Sequence, residues 1–143
     1  MSDLFQVDDD GRLFISPAIE DWAPITAAGI DAVIDLDGGI DAGVPTLHNK
    51  QIYVYFPIYD DALPDPVRLA SVVLLGSHLV RSGHRVLSHC GMGFNRSALV
   101  AGLILHELGM PGPNVVDRLR ERRPGALFND RFAEHIMKLP PRP

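Results

Sequence analysis

Apolar residues along this chain follow two rhythms, and the rhythm switches where turn-forming residues cluster. Short apolar runs at Leu13-Phe14-Ile15-Ser16, Asp31-Ala32-Val33-Ile34-Asp35-Leu36, 51–58 and Arg85-Val86-Leu87-Ser88 read as strands. The second of these stops at Asp37-Gly38-Gly39, and the third is rich in β-branched and aromatic residues. Elsewhere apolar positions recur every three or four residues. Residues 17–29 present Ile19, Trp22, Ile25 and Ala28 along one face, a helical connection. Residues 66–82 space Leu69, Val72, Val73, Leu75 and Leu79 for burial on a helix that closes near Gly83. A further helix is expected from Arg96 to about Leu108, stopped by Gly109-Met110-Pro111-Gly112-Pro113. Asn114 reads as the cap of a helix to about Arg123, and Asn129 or Asp130 as the start of a last helix ending before Pro140. Asp65 before Pro66 is a helix-start signal, so its role is structural.

Strands alternating with helices predict an α/β domain: a mainly parallel central sheet flanked by helices. The 143 residues suit a single domain with its core over about 12–138, a short polar N-terminus and the Pro-rich tail 140–143. Sites in such sheets lie off the carboxyl ends of strands. Cys90 and Asp60 both follow strand ends, so they are expected to meet above one sheet edge.

Composition narrows the class. Apolar residues make up 46% of the chain and mean hydropathy is +0.08, as for a globular protein. No run approaches the roughly 18 apolar residues of a membrane helix, so no membrane partner is expected. The first ten residues lack the basic start and apolar centre of a signal peptide. A single cysteine, Cys90, excludes an internal disulfide, and a reducing, cytoplasmic setting is expected. Net charge is −5, but unevenly shared: residues 1–65 carry −11 and residues 66–143 carry +6. The basic half holds Cys90 and could draw in anionic substrates. Arg118, Arg120, Arg122 and Arg123 read as the solvated face of a helix. The acidic net charge argues against nucleic acid as partner.

The chemistry concentrates in His89-Cys90-Gly91-Met92-Gly93-Phe94-Asn95-Arg96-Ser97, set between a strand and a helix. A loop entering a helix N-terminus turns successive N–H groups inward and favours an anion at its centre. The thiolate is the nucleophilic form of cysteine, and this setting is expected to stabilise it at Cys90. The amides of Gly91, Met92, Gly93, Phe94, Asn95 and Arg96 would cradle a phosphate, and the Arg96 guanidinium would grip two of its oxygens. Ser97 could donate to the sulfur when the thiolate departs.

The pattern His-Cys-x-x-Gly-x-x-Arg-Ser resembles the signature of the cysteine-dependent protein-tyrosine phosphatases, most of all the small dual-specificity branch. The order of elements from Leu13 to about Ile136 is similar too. That resemblance implies Cys90 as nucleophile, Arg96 as phosphate ligand and Ser97 as an aid to the leaving thiolate. It implies that His89 bonds loop carbonyls and helps hold the thiolate. Tyr55-Phe56-Pro57-Ile58-Tyr59-Asp60-Asp61 looks like the family's acid loop, which makes Asp60 the general acid and Asp61 the alternative acid. Asn129 falls where the family often has an asparagine near the catalytic loop, and a helix cap is the competing reading. The family works without metal or other cofactor, and the six histidines show no metal-ligand spacing.

Two positions depart from the family pattern. Ser88 stands where a branched apolar residue is usual, and Asn95 where Ser or Gly is usual. The run Gly93-Phe94-Asn95-Arg96 is also similar to the loop of RNA 5′-triphosphatases. The expected function is hydrolysis of phosphate monoesters, of a phosphorylated protein or small phosphate ester, through a cysteinyl-phosphate. The alternatives are an RNA 5′-triphosphatase-like or other non-protein phosphate hydrolase, and a catalytically silent phospho-binding module. A sulfur-transfer role is a further use for an activated cysteine. The sequence carries no sign of oligomeric state.

Overall fold

A computed structural model describes residues 3–142. Met1, Ser2 and Pro143, the extremes of the polar N-terminus and the Pro-rich tail, lie outside the described residues. Ten elements follow in order: β1 (Phe5–Gln6), β2 (Leu13–Ser16), α1 (Ala23–Ala27), β3 (Ala32–Asp35), β4 (Ile52–Tyr55), α2 (Pro66–Arg81), β5 (Val86–His89), α3 (Arg96–Glu107), α4 (Gly112–Arg122) and α5 (Asp130–Met137). They build one five-stranded sheet in the order β1-β2-β5-β3-β4. β2, β5, β3 and β4 run parallel, and only β1 is antiparallel to its neighbour. The mainly parallel sheet expected from the alternating pattern is therefore present.

Each strand's alternation divides the core. Leu13, Ile15, Ala32, Ile34 and Val86 pack on one side with α2, α3, α4 and α5. Phe14, Val33 and Leu87 pack on the other with Ile25, Ile30 and Trp22. β5 is the centre of the sheet, and α3 behind it is buried at every position from Ser97 to His106. α2 can lie close to α3 because Gly76 has no side chain; a Cβ there would come within 2.5 Å of Ile104. Ser88 belongs to this arrangement. It faces α3 and donates to the Ser97 carbonyl across 3.0 Å, pinning the start of that helix to the central strand.

Several boundaries differ from the sequence reading. β1 is too short to carry a pattern. The strand expected over 51–58 is regular only from Ile52 to Tyr55, although the Phe56 and Ile58 amides still donate to the Asp35 and Leu36 carbonyls on either side of Pro57. The connection 17–29 is helical only over α1, where Asp21 accepts from the Ala23 amide and proline occupies the first turn. α4 begins at Gly112, with Pro111 at the cap, so Asn114 is inside the helix rather than before it. Asp65 does cap α2, accepting from the Arg68 amide at 2.9 Å. Among the described residues, no helix is long and apolar enough to cross a membrane.

Candidate active site

The loop from Cys90 to Asn95 joins β5 to α3 at the carboxyl end of the sheet. It is fastened on both sides. The Cys90 amide donates to Ser16 and the Gly91 carbonyl accepts from Ala18, which ties the loop to the exit of β2. The Phe94 carbonyl accepts from Leu127 at 2.8 Å. Gly93 has φ +75°, and a Cβ there would stand 2.8 Å from the Pro17 nitrogen. Only glycine fits both the left-handed backbone and that close approach.

Cys90 lies at the floor of this loop, 2% exposed. Its sulfur faces Ser97 twice: the Ser97 amide lies 3.4 Å from Sγ, and the Ser97 hydroxyl 3.3 Å. A thiol donates to that hydroxyl, whereas a thiolate accepts from both groups. Arg96 opens α3 and folds back over the strand ends. One guanidinium nitrogen is 3.2 Å from the Ile58 carbonyl, 3.4 Å from the Leu36 carbonyl and 3.3 Å from Asp37 Oδ1. These contacts hold the arginine beside Gly91, at the loop's rim.

The two acidic residues of the 57–61 turn point to different partners. Asp60 receives the side-chain amide of Asn95 on Oδ2 and that of Asn129 on Oδ1, each at 2.8 Å. Asp61 pairs its carboxylate with Arg131 at 3.2 Å, and both side chains are largely exposed. Asp60 is thus joined to the Cys90–Arg96 loop through Asn95, whereas Asp61 faces away along α5. Asn129 fulfils both of its sequence readings. Its Oδ1 caps α5 by accepting from Arg131 and Phe132, and its Nδ2 serves Asp60.

His89 departs from expectation. Its Nε2 sits 2.6 Å from Asp41 and 3.6 Å from Asp35, and its buried Nδ1 has no hydrogen-bond partner. Among the described residues, the expected bonds from His89 to loop carbonyls are absent. Asp35 and His89 are cross-strand partners on β3 and β5, which explains their proximity. Asp41 arrives from the long 36–51 connection, whose backbone is held by the hydroxyls of Tyr53 and Tyr55 and by the Trp22 indole. Tyr53 also donates to Asp35. Burial holds the Asp41 carboxyl above its ordinary range, against the pull of His89, and burial followed by the bond to Asp35 raises the Tyr53 phenol. Asp35, Asp41 and His89 bring three potential metal-ligand atoms within 4.8 Å of one another, and here those atoms are occupied with one another and with Tyr53. The six-residue gap from Asp35 to Asp41 gave no metal-like signal.

Of the four arginines expected on a solvated face, Arg120 is exposed, whereas Arg118, Arg122 and Arg123 are half-buried. Arg118 and Arg122 donate to the Val7 and Gln6 carbonyls, and Arg120 to those of Ala126 and Leu127. Arg123 stacks on Phe94 at 4.0 Å and on Phe5 at 4.6 Å and donates to the Met92 carbonyl. It braces the Cys90–Arg96 loop, a contact that spacing could not signal.

No protein-family model and no curated protein sequence matches the chain. Solved structures do. Human DUSP28 superposes with a TM-score of 0.78 at 22% identity, over 96% of this chain and 93% of that one. This is the dual-specificity phosphatase fold. Tk-PTP, solved in its active form, gives a TM-score of 0.72 at 24% identity, covering 95% of this chain and 94% of its own. A mouse protein described as a putative dual specificity phosphatase, complexed with zinc tungstate, gives 0.73 at 20% identity over 95% and 87% of the two chains. The family resemblance seen in the sequence extends to the whole dual-specificity fold.

Proposed function

We propose that this chain is a cysteine-dependent phosphatase acting on phosphate monoesters, phosphotyrosine first and phosphoserine or phosphothreonine second. The observation that carries this reading is the pairing of Cys90 Sγ with the amide and hydroxyl of Ser97, at the start of a helix whose first residue is Arg96. The similarity of the fold to phosphatases supports it.

The chemistry follows from the placements. The Cys90 thiolate attacks phosphorus as the bond to the ester oxygen breaks, giving a cysteinyl-phosphate. The amides of residues 91–96 and the Arg96 guanidinium take up the charge on the phosphoryl oxygens. Asp60 gives its proton to the departing oxygen. Water then attacks phosphorus and loses its proton to Asp60. The sulfur–phosphorus bond breaks, and sulfur leaves as a thiolate that accepts from Ser97. Inorganic phosphate departs and the starting protonation state is restored. Charge and protons are handled by Arg96, the loop amides and Asp60, so the scheme needs no metal.

The rim supports an aryl substrate. Met92 on the loop, Phe128 beside Phe94, and Tyr59 next to Asp60 are 69%, 66% and 88% exposed. Apolar edges of that kind suit the ring of phosphotyrosine better than a polyphosphorylated inositol. A panel of phosphotyrosine and phosphoserine peptides, inositol phosphates, 5′-triphosphate RNA and thiosulfate tests the proposal. Turnover of the phosphotyrosine peptide is expected to lead. Preference for triphosphate RNA or thiosulfate, or binding without turnover, contradicts it.

A further inference from the structure

We propose that Asn95 is the positioning residue for the acid, setting the direction of the Asp60 carboxyl from inside the catalytic loop; this rests on Asp60 being the acid. Asn95 stands at the N-cap position of α3, where an asparagine ordinarily turns its side-chain oxygen onto an amide of the first turn. Here it makes no such bond, although it is only 2% exposed. The Ser97 amide faces Cys90 Sγ instead. The Asn95 side chain is thereby released from capping, and it spends both of its ends on other loops. Nδ2 donates to Asp60 Oδ2 at 2.8 Å, and Oδ1 accepts from the Asn129 amide at 2.9 Å. Asn129 closes the ring by donating its own Nδ2 to Asp60 Oδ1.

This ring needs a side chain that donates at one atom and accepts at another. A carboxamide does so across its width, serine offers one short hydroxyl, and glycine offers nothing. A buried carboxamide is also costly to leave unpaired, so its direction is fixed by these partners. Asp60 itself lies exposed on a turn, where a carboxylate otherwise samples several rotamers. Two donors on separate oxygens remove that freedom. They also let one oxygen exchange its amide partner for the leaving oxygen while the other remains held. Orientation at the reacting group is where small displacements cost most in rate.

The test compares phosphotyrosine, whose leaving oxygen needs a proton, with an aryl phosphate of a strongly acidic phenol, which needs none. In Asn95→Ser, kcat/KM for phosphotyrosine is expected to fall about tenfold further than kcat/KM for the activated ester. Asn95→Gly is expected to show the same bias. In an Asp60→Asn background, Asn95→Ser is expected to add no further bias, because its effect passes through Asp60. Equal losses on both esters, no loss on either, or a bias that persists without the Asp60 carboxyl overturns the inference. Asp60→Asn alone separates the two claims. A bias there with none in Asn95→Ser refutes the positioning role only. No bias in Asp60→Asn refutes Asp60 as acid and the role of Asn95 with it.

Discussion

Ser97 meets the Cys90 sulfur with both its backbone amide, at 3.4 Å, and its hydroxyl, at 3.3 Å. The two contacts differ in what a substitution removes. Ser97→Ala keeps the amide and deletes the hydroxyl, so in the proposed reaction the departing thiolate would lose one donor. Loss of one such donor costs roughly 10²-fold in the step it serves. Breakdown of the cysteinyl-phosphate is expected to slow by about that factor while its formation changes less. Rapid-quench kinetics with an activated aryl phosphate are expected to show a burst of phenol in Ser97→Ala. Equal slowing of both steps contradicts this role.

Asp60 and Asp61 are neighbours in sequence but not in environment. Asp60 is held by Asn95 and Asn129, and Asp61 by an exposed pairing with Arg131. Asp60→Ala is expected to lower kcat on phosphotyrosine by about 10²–10⁴-fold. Asp61→Ala removes a surface pair worth less than about 1 kcal/mol and is expected to leave kcat within about threefold. The opposite ranking would reassign the acid.

Gly93 carries the sharpest backbone constraint of the loop, with φ +75° and the Pro17 nitrogen 2.8 Å from where a Cβ would be. Gly93→Ala combines a left-handed backbone with a contact to rigid main chain, so it is expected to destabilise by about 2 kcal/mol or more. Phosphate affinity is expected to fall with it, because the Gly93 and Phe94 amides move together. Equilibrium denaturation and phosphate titration check the two effects. A variant as stable as wild type contradicts the packing described.

The Asp41 carboxyl is raised above its ordinary range, chiefly by burial, with His89 pulling the other way and Asp35 adding to the rise. The folded chain therefore keeps this proton to higher pH than the unfolded chain does. The associated stability is present at low pH and is lost as pH rises through the raised value. Relative to Asp41→Asn, the wild type is expected to lose melting temperature as pH is raised from the ordinary carboxylate range toward neutrality. A difference that stays constant or reverses over that range contradicts the placement of Asp41.

Legibility in the sequence tracked distance along the chain. Cys90, Arg96 and Ser97 lie within eight consecutive residues, so a short motif discloses them, and the strand and helix on either side position them. The sequence ranks Asp60 ahead of Asp61 only by its place in the acid-loop pattern, because their directions are decided by Asn95, Asn129 and Arg131, more than thirty residues away. The Asp41–His89 contact spans 48 residues and depends on where a long connection comes to rest. Ser88 looked like a departure from pattern until its strand face was known; it bonds the Ser97 carbonyl. Arg123 carried a charge that suggested solvent, yet its guanidinium packs on two aromatic rings, which composition does not reveal.

The proposed reaction requires the sulfur of Cys90 to become covalently phosphorylated. Rapid acid quench during turnover of phosphotyrosine, followed by peptide mass spectrometry, measures this directly. The expected result is phosphate on the Cys90 peptide in wild type, and none in Cys90→Ser, which is expected to bind phosphate but not turn over. Continued hydrolysis by Cys90→Ser, or phosphate trapped on any other residue, would contradict it.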